Sequence, residues 1–346
     1  MTYTIVGCGA AGILVCFELL KQGVDPSTIT IIDTFFDGGA LLRSWGAIYS
    51  NTTTQQILDT LQEYEAIQGP LKAFAEKYVS TQRVLLTDIG HLLQKSIQTF
   101  PDSIRLIQDT CEGVEQTSSG WTVRCKSAAV SSDIVFVCQG GCQKQFDSGK
   151  PSIPLDVALD SSRLSRYVQA GQRVVVFGLA HSGTLVLKSL LQLKCSVSAI
   201  YKGRTPFLYA RDGHYGGIKE ESAEIADELL KTCPSHLELI SASDFPKMIK
   251  AVQRADWIVA TIGFEASPIQ IRVGENEIAS YKTYSPETAE LQDNLYGFGL
   301  AYPGETVLED GVHKDVSLPS FKVQIQRCIP AILSKIRNTL PLDGAE

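Results

Sequence analysis

The chain has 346 residues, 44% of them hydrophobic, and a formal net charge of −7. Its length suggests two domains, and the hydrophobic fraction is sufficient for a large buried core, which excludes a disordered chain. The 31 Lys and Arg residues are scattered without a basic block or stripe, and the apolar runs are short, so we predict neither nucleic acid as a partner nor a membrane span.

The first elements in chain order are a strand, a helix and a second strand. Residues 3–8 form a short apolar run, residues 10–22 place apolar side chains at helical spacing, and residues 28–33 are rich in β-branched residues. This order predicts a βαβ unit. No basic stretch followed by an apolar segment precedes the first strand, so we expect a cytoplasmic protein.

The turn between the first strand and the first helix is rich in glycine. It reads Gly7-Cys8-Gly9-Ala10-Ala11-Gly12, a complete G-x-G-x-x-G. Gly7 permits the tight turn, Gly9 lets the backbone approach a pyrophosphate, and Gly12 lets the helix pack closely on the strand. The N–H groups of the first helical turn, those of Ala10 and Ala11 among them, complete an anion site.

An acidic residue ends the second strand, 21 residues after Gly12. The carboxylate of Asp33 can accept hydrogen bonds from ribose hydroxyls, and its charge would repel a 2′-phosphate. The first turn is therefore predicted to bind FAD or NAD rather than NADP. The glycine pair Gly38-Gly39 follows, and Arg43 and Trp45 are placed to reach the flavin side of a bound FAD, although an ordinary surface loop is the alternative.

The middle of the first half combines helices and short strands. Residues 55–78 and 84–99 predict helices. Over residues 104–138, short apolar pieces alternate with turn residues, which predicts a small antiparallel meander that returns to a buried strand. That strand ends at Gln139-Gly140-Gly141, and a polar connection follows over residues 142–170.

A second glycine-rich βαβ unit begins near residue 173, with its turn at Gly178-Leu179-Ala180-His181-Ser182-Gly183. The methyl group of Ala180 keeps the backbone slightly further from a pyrophosphate. His181 either contacts a phosphate or is a polar residue at a helix N-terminus, and Ser182 lies in the same predicted cofactor turn. The remaining predicted elements are a strand at 173–177, a helix at 182–193, a strand at 196–201, a surface helix at 218–231, a strand at 257–260, a strand-like patch before residue 297 and a helix at about 320–337.

The strand after the second turn ends without an acid at the ribose position. Lys202 and Arg204 stand there instead, and they would neutralise a 2′-phosphate, which favours NADPH over NADH. Two solvated basic residues on a loop are the alternative. The polar stretch 211–217 is either a lid near the nicotinamide or a surface loop.

The nine cysteines are scattered and lie mostly in apolar company, which predicts reduced, buried thiols. No C-x-x-C occurs, and the closest pair, Cys138 and Cys142, lacks the spacing of a redox motif. No cluster of His, Cys and Asp has the spacing of a metal site, so no metal is predicted.

The two glycine-rich units predict an α/β fold with two Rossmann-like dinucleotide-binding domains, parallel sheets and a small antiparallel β-meander. The sequence resembles the two-dinucleotide-binding-domain flavoproteins, which include flavin-containing monooxygenases, N-hydroxylating monooxygenases and thioredoxin reductase-like enzymes. The resemblance covers most of the chain and rests on five places: Gly7–Gly12, Asp33 with Gly38-Gly39, Gln139-Gly140-Gly141, Gly178–Gly183 and Ala260-Thr261-Ile262-Gly263-Phe264. The stretch Tyr296–Ala301 looks like the closing flavin segment of these enzymes.

The resemblance implies a discontinuous FAD-binding domain at residues 1–165 and 266–346, with an inserted NAD(P)-binding domain at residues 166–265. It implies that the backbone at Cys111 contacts adenine. The other cofactor-binding residues that it implies are Gly140, Gly263, Gly299 and Leu300.

Three departures prevent assignment to a subfamily. Many relatives carry an Asp where this chain has Leu300. The F-x-G-x-x-x-H signature of flavin-containing monooxygenases does not precede Gly178, and the C-x-x-C of disulfide reductases is absent.

The leading hypothesis is therefore an FAD-dependent NAD(P)H oxidoreductase, monooxygenase-like, that passes hydride from NADPH to flavin and on to O₂ or a small organic substrate. NADH is the alternative nicotinamide. The alternative functions are a disulfide or quinone reductase of the same fold and a non-catalytic sensor that binds FAD or NAD(P). No catalytic residue is identified, because the flavin carries the reactivity. The substrate stays open, as does the oligomeric state, for which a homodimer is one option.

Overall fold

The computed structural model of the chain describes residues 1–144, 146–207, 221–267, 269–278, 283–308 and 311–339. By the contacts between its Cα atoms, the chain divides into two compact units. The first consists of Met1–Cys142 and Ala266–Glu346, and the second of Gln143–Glu265.

The residues before the second unit contribute ten strands and five α-helices to the described structure. The strands are β1 (Tyr3–Val6), β2 (Ile29–Asp33), β3 (Tyr49–Thr53), β4 (Arg83–Leu85), β5 (Arg105–Gln108), β6 (Cys111–Thr117), β7 (Gly120–Cys125), β8 (Ala129–Ser132), β9 (Ile134–Val137) and β10 (Gly141–Gln143). The helices are α1 (Ala10–Lys21), α2 (Ala40–Arg43), α3 (Thr54–Leu61), α4 (Gln68–Lys77) and α5 (Leu86–Ile97).

The second unit and the C-terminal part follow in chain order. The elements of the second unit are α6 (Leu155–Ala158), α7 (Ser161–Leu164), β11 (Arg173–Phe177), α8 (His181–Gln192), β12 (Ser196–Tyr201), α9 (Glu221–Thr232), β13 (Leu237–Ser241), α10 (Phe245–Arg254), β14 (Trp257–Ala260) and β15 (Phe264–Ala266). Those of the C-terminal part are β16 (Gln270–Val273), β17 (Asn276–Ile278), β18 (Glu290–Gln292), β19 (Leu295–Gly297), β20 (Gly304–Leu308), β21 (Gly311–Asp315) and α11 (Leu318–Thr339).

The first unit is built on a six-stranded sheet in the order β18-β19-β9-β1-β2-β5. Strands β19, β9, β1, β2 and β5 run parallel, and β18 alone is antiparallel to its neighbour. Every residue of β1 and of β9 is buried, as expected for parallel strands that are covered on both faces. Helices α1, α5 and α11 supply the apolar side chains that cover one face.

The other face of this sheet is covered by the meander β17-β16-β6-β7-β8. Trp121 of β7 is buried there with Val114 and Val123, against Val6 and Val135 of the main sheet. The prediction of an α/β fold with parallel sheets and a small antiparallel meander is confirmed. The sequence did not predict β16, which runs parallel to β6 and joins the meander from the far end of the chain.

The second unit has a four-stranded parallel sheet in the order β13-β12-β11-β14. The sequence assigned residues 143–165 to the other domain, but by its contacts this segment groups with the second unit. The reason is local: the N–H of Ile153 donates to the carbonyl of Ile258 in β14 at 2.8 Å, and the side chains of Ile153 and Leu155 are buried.

The segment predicted as one helix over residues 55–78 forms two, α3 and α4, with a short 3₁₀ turn at Glu65–Ile67 between them. The chain turns here because Tyr64 is buried, with its ring stacked on Phe17 of α1 at 5.4 Å between centroids. A tertiary contact therefore overrides the local helical pattern. Among the described residues, no helix combines the length and the apolar character needed to cross a bilayer.

The packing of α1 on β1 generates the first prediction. A Cβ placed on Gly12 would lie 1.9 Å from the carbonyl oxygen of Gly7, so we expect Gly12→Ala to lower the free energy of unfolding by about 3 kcal/mol. The matched control is Gly69→Ala in α4, where a Cβ meets nothing within 4 Å and alanine should stabilise by about 0.5 kcal/mol. Urea unfolding followed by circular dichroism measures both, and equal stability of Gly12→Ala and the wild type would contradict this packing.

Candidate functional site

The first glycine turn lies between the carboxyl ends of three neighbouring strands. The N–H of Gly7 donates to the carbonyl of Ile32 at 2.7 Å. Gly7 has a φ of +99°, and a Cβ there would lie 2.5 Å from the carbonyl oxygen of Cys138. Both the backbone conformation and the packing therefore require glycine at this position.

Gly9 caps the N-terminus of α1 and differs from the other glycines of the turn. Its backbone is extended, with φ −83° and ψ −164°, and its carbonyl accepts the N–H of Ile13 at 3.0 Å. A Cβ on Gly9 would find its nearest neighbour, Gly39 Cα, at an ordinary 3.7 Å. The protein itself does not exclude a side chain here. The first-turn N–H groups of Ala10 and Ala11 have no partner within the helix.

A second glycine pair packs against this turn. A Cβ on Gly38 would lie 2.5 Å from the carbonyl oxygen of Gly90 in α5, and one on Gly39 would lie 2.9 Å from Gly9 Cα. The loop between β2 and α2 is therefore held between α5 and the first turn. This brings two stretches of bare backbone together, as the approach of a phosphate group requires.

The carboxylate of Asp33 is already engaged with backbone donors. Oδ2 accepts the N–H of Cys8 at 2.7 Å, and Oδ1 accepts those of Phe35 at 2.8 Å and Phe36 at 2.9 Å. The sequence predicted a ribose ligand at Asp33 and gave no indication of these three bonds.

Arg43 is likewise held by the protein. Its guanidinium pairs with Asp37 at 2.5 Å and lies over the ring of Phe35 at 4.4 Å from the centroid. Asp37 Oδ1 also accepts the N–H of Gly39 at 3.0 Å. Arg43 therefore stabilises the glycine loop from one side.

These elements surround a cavity of about 400 Å³ in the first unit. Most of the predicted cofactor-binding residues of this unit lie in its wall, whereas Gly12 lies beneath the turn as a packing residue. The predicted residues in the wall are Gly7, Gly9, Ala10, Ala11, Asp33, Gly39, Arg43, Trp45, Cys111, Gly140, Gly299 and Leu300.

Other wall residues were not selected as cofactor-binding residues from the sequence, because most of them come from separate elements and belong to no motif, although Gln139 lies in the stretch Gln139-Gly140-Gly141. The polar ones are Thr34, Ser50, Thr52, Asp109, Thr110, Gln139, Ser267 and Ser317, and the larger apolar ones include Leu86, Ile89, Val316, Leu318 and Phe321. Ser317 was detectable in principle, since a serine immediately before a helical pattern is a typical N-cap.

Gln139 has an unpaired oxygen in this wall. Its Nε2 donates to the carbonyl of Cys111 at 3.4 Å, which fixes the orientation of the amide, because an oxygen there would face another oxygen. Oε1 is buried and has no partner among the described residues. An unpaired buried acceptor is costly, and its place in the cavity wall points to a bound group as the missing donor.

The second glycine turn repeats the geometry of the first. The N–H of Gly178 donates to the carbonyl of Ile200 at 2.9 Å, and a Cβ on Gly183 would lie 2.1 Å from the carbonyl oxygen of Gly178. Ala180 caps α8 with φ −79° and ψ −164°, and its carbonyl accepts the N–H of Thr184 at 3.0 Å. Alanine thus adopts the backbone conformation of Gly9 without strain.

The other residues predicted for the second site lie on different elements. His181 Nδ1 lies 2.8 Å from Ser222 Oγ, so the ring is held towards α9. Ser182 is in the first turn of α8, Lys202 and Arg204 are exposed after β12, and Gly263 follows β14. The predicted loop at residues 211–217 lies outside the described residues.

The two cysteines Cys138 and Cys142 differ in exposure, and Cys138 lies in the cavity wall. Cys138 is buried, and this burial raises the pKa of its thiol, whereas Cys142 is partly exposed. All nine cysteines are free thiols. Within the part of the chain that the structure describes, no group of three or more His, Cys, Asp or Glu residues is arranged to hold a metal ion.

No protein-family model and no curated protein matches the sequence. Solved structures match its fold over nearly the whole chain. Bacillithiol disulfide reductase Bdr from Staphylococcus aureus is 13% identical, with 97% of this chain and 98% of that chain covered and a TM-score of 0.64. Thioredoxin reductase from Lactococcus lactis is 9% identical, with 97% and 99% covered and a TM-score of 0.58.

The structure of OTEMO in complex with FAD and NADP is 11% identical, with 98% of this chain and 86% of that chain covered and a TM-score of 0.61. At these identities, the likeness is one of fold. The chain has the two-dinucleotide-binding-domain flavoprotein fold, as the sequence resemblance implied.

Proposed function

We propose that the chain is an FAD-dependent NAD(P)H oxidoreductase, with FAD in the cavity of the first unit and NADPH at the second glycine turn. The observation that carries this proposal is the presence of two dinucleotide turns with the same backbone geometry in one chain. Gly9 and Ala180 cap their helices with dihedral angles that agree within 4° in φ (−83° and −79°) and are equal in ψ (−164°). One resident and one exchanging dinucleotide would account for both turns.

The cavity of the first unit suits FAD in its chemistry. The N–H groups at the start of α1 and the backbone of the Gly38-Gly39 loop would hold the pyrophosphate. Cys111 and Gln139 would face the adenine end, where Gln139 Oε1 lacks a donor. The apolar wall residues provide a surface for the flavin ring, and they are Leu86, Ile89, Leu318 and Phe321.

Leu300 supplies no carboxylate at the place where many relatives of this fold carry one. Ser317, which precedes α11, is a polar wall residue in the same cavity, and its Oγ accepts the N–H of Ser320 at 3.3 Å. This makes Ser317 the candidate for a polar contact near the ribityl chain.

A bound flavin would accept hydride from the reduced nicotinamide and pass electrons to O₂ or a small organic substrate. The residues of the chain would bind and orient the two dinucleotides and exclude water from the apolar part of the cavity. No acid–base pair is required of the protein for this role.

The properties of the cysteines favour an electron acceptor other than a dithiol of the protein. A thiol–disulfide relay needs two accessible thiols, one of them with a lowered pKa. Cys138 is buried with a raised pKa, so the pair Cys138 and Cys142 does not meet this need. We therefore favour monooxygenase-like or oxidase-like chemistry over disulfide reduction.

The charges at the two strand ends favour different dinucleotides. The register of the strands places Asp33 and Tyr201 at corresponding positions, each one residue beyond an isoleucine that pairs with the strand before its glycine turn. Tyr201 carries no charge to repel a 2′-phosphate, and the exposed Lys202 and Arg204 follow it. NADPH is therefore the preferred nicotinamide in this proposal.

The purified protein tests the proposed function directly. We expect a yellow protein whose flavin absorbance is bleached by NADPH under anaerobic conditions and returns when air is admitted. The measurement is a stopped-flow or static absorbance titration with NADPH and, in parallel, NADH.

Other outcomes of this titration point elsewhere. A colourless protein that does not bind added FAD rejects the proposal. Bound flavin that neither nicotinamide reduces indicates a sensor. If reduction by NADPH exposes two additional thiols to a thiol reagent, the protein is a dithiol reductase instead.

The open position of Gly9 yields a second prediction for the FAD site. Because a methyl group there contacts the protein only at 3.7 Å but occupies the ligand side of the turn, Gly9→Ala should weaken FAD binding roughly tenfold while it changes the free energy of unfolding by less than about 1 kcal/mol. Flavin fluorescence titration and urea unfolding measure the two effects. Undiminished affinity for FAD would show that the pyrophosphate does not approach this turn.

The basic residues after β12 yield a prediction for the nicotinamide. In the double variant Lys202→Ala with Arg204→Ala, we expect the KM for NADPH to rise roughly tenfold and the KM for NADH to change less than twofold, because only NADPH carries the 2′-phosphate. The charge-matched control is Lys247→Ala with Lys250→Ala, on the exposed side of α10. A parallel rise for both nicotinamides would refute the assignment of these residues to the 2′-phosphate.

A further inference from the structure

The carboxylate of Asp33 has little capacity left for a ligand. A carboxylate offers about four lone-pair sites, two on each oxygen. Oδ1 accepts from the N–H groups of Phe35 and Phe36, at 2.8 and 2.9 Å, and Oδ2 accepts from that of Cys8 at 2.7 Å. One site on Oδ2 remains. Asp33 therefore has no second site for the other hydroxyl of a ribose diol.

The three donors belong to two different segments of the cavity wall. Cys8 lies inside the first glycine turn, whereas Phe35 and Phe36 begin the loop that leads to Gly38-Gly39. Phe36 has a φ of +50°, a conformation that is unfavourable for a residue of this size. The hydrogen bond from its N–H to Asp33 contributes to holding it there.

The second unit shows which of these segments depends on the carboxylate. Its glycine turn has the same geometry at Gly178 and Ala180, although Tyr201 replaces the acid at the corresponding strand end. The turn itself therefore forms without such a carboxylate. What Asp33 adds in the first unit is the attachment of the loop at residues 34–39 to that turn.

We infer that Asp33 is a positioning residue, which fastens the loop at residues 34–39 to the first glycine turn so that Gly39 and Gly9 face the same phosphate group. This inference rests on the proposed function, since it concerns the FAD site. The sequence predicted ribose recognition as the principal role of Asp33, whereas the hydrogen bonds of its carboxylate make positioning of the loop the principal role. Contact with a single ribose hydroxyl is the most that the remaining lone pair allows.

Competition against FAD distinguishes positioning from ribose recognition. In the full-length protein, displacement of FAD by ADP, 2′-deoxy-ADP and 3′-deoxy-ADP is followed by flavin fluorescence, so that only the FAD site is reported. In Asp33→Asn, an NH₂ group faces the N–H of Cys8 or those of Phe35 and Phe36, whichever way the amide is turned. We expect all three ligands to bind about tenfold more weakly, with their relative affinities unchanged within twofold.

Two further variants separate the role of Asp33 from a general loss of stability. Asp33→Glu retains the charge but displaces the carboxylate by one methylene, so a positioning role predicts weakened binding, whereas a ribose role predicts retained binding. Asp25→Asn is the matched control, because the Asp25 carboxylate also accepts a backbone N–H, from Ser27 at 3.0 Å, but lies outside the cavity wall. It should leave the affinity for all three ligands unchanged.

Amide hydrogen exchange tests the positioning without any ligand. In Asp33→Asn, the amides of residues 35–39 should exchange at least tenfold faster than in the wild type, while those of β1 are unaffected. Unchanged exchange at these amides, or a variant that loses only the preference for ADP over its deoxy analogues, would overturn the inference. If the wild type binds neither FAD nor ADP, the proposed function fails, and the exchange measurement still decides the role of Asp33.

Discussion

The contact between a helical glycine and the carbonyl oxygen at the end of the preceding strand sets the geometry of both units. A Cβ would lie 1.9 Å from that oxygen at Gly12 and 2.1 Å from it at Gly183. No side chain fits, so each helix lies directly against its strand, and its N-terminus is fixed at the carboxyl end of the sheet. The free N–H groups of the helix therefore converge where the neighbouring loops also end, and the cavity of the first unit is built around this point.

A comparison of the two turns shows which glycine positions the backbone itself requires. Both strand-end glycines, Gly7 and Gly178, have positive φ and lie against the carbonyl oxygen of a neighbouring strand, at Cys138 and Thr261, so the fold itself demands them. The helix caps differ, because an extended backbone accepts any residue, and Ala180 occupies that conformation in the second turn. Among the glycines of the two turns, Gly9 at the cap of α1 is thus one that neither its backbone conformation nor its packing requires.

The sequence was sufficient to predict those features of the fold that depend on residues adjacent along the chain. The two glycine turns, the buried strands beside them and the alternating pieces of the meander follow from local pattern, and they define the α/β fold. The bonds of Asp33 could not be predicted, because they require the loop at residues 34–39 to fold back through the unfavourable φ of Phe36. The division of one predicted helix into two also depends on a contact between distant residues, the stacking of Tyr64 on Phe17, and the periodicity of the sequence gives no sign of it.

The cavity of the first unit is completed by residues that follow the second unit in the chain. Strand β19 pairs with β9, and helix α11 packs on α1, where its apolar side chains join those of α5 and Tyr64 in one buried cluster. Gly299, Leu300 and Leu318 then close the wall that begins with the first glycine turn. Contacts of such long sequence separation carry a high cost in loop-closure entropy, because the intervening chain must be ordered or looped out. The cavity of the first unit is therefore complete only once both ends of the chain have come together, although the glycine turn in its wall is encoded within the first twelve residues.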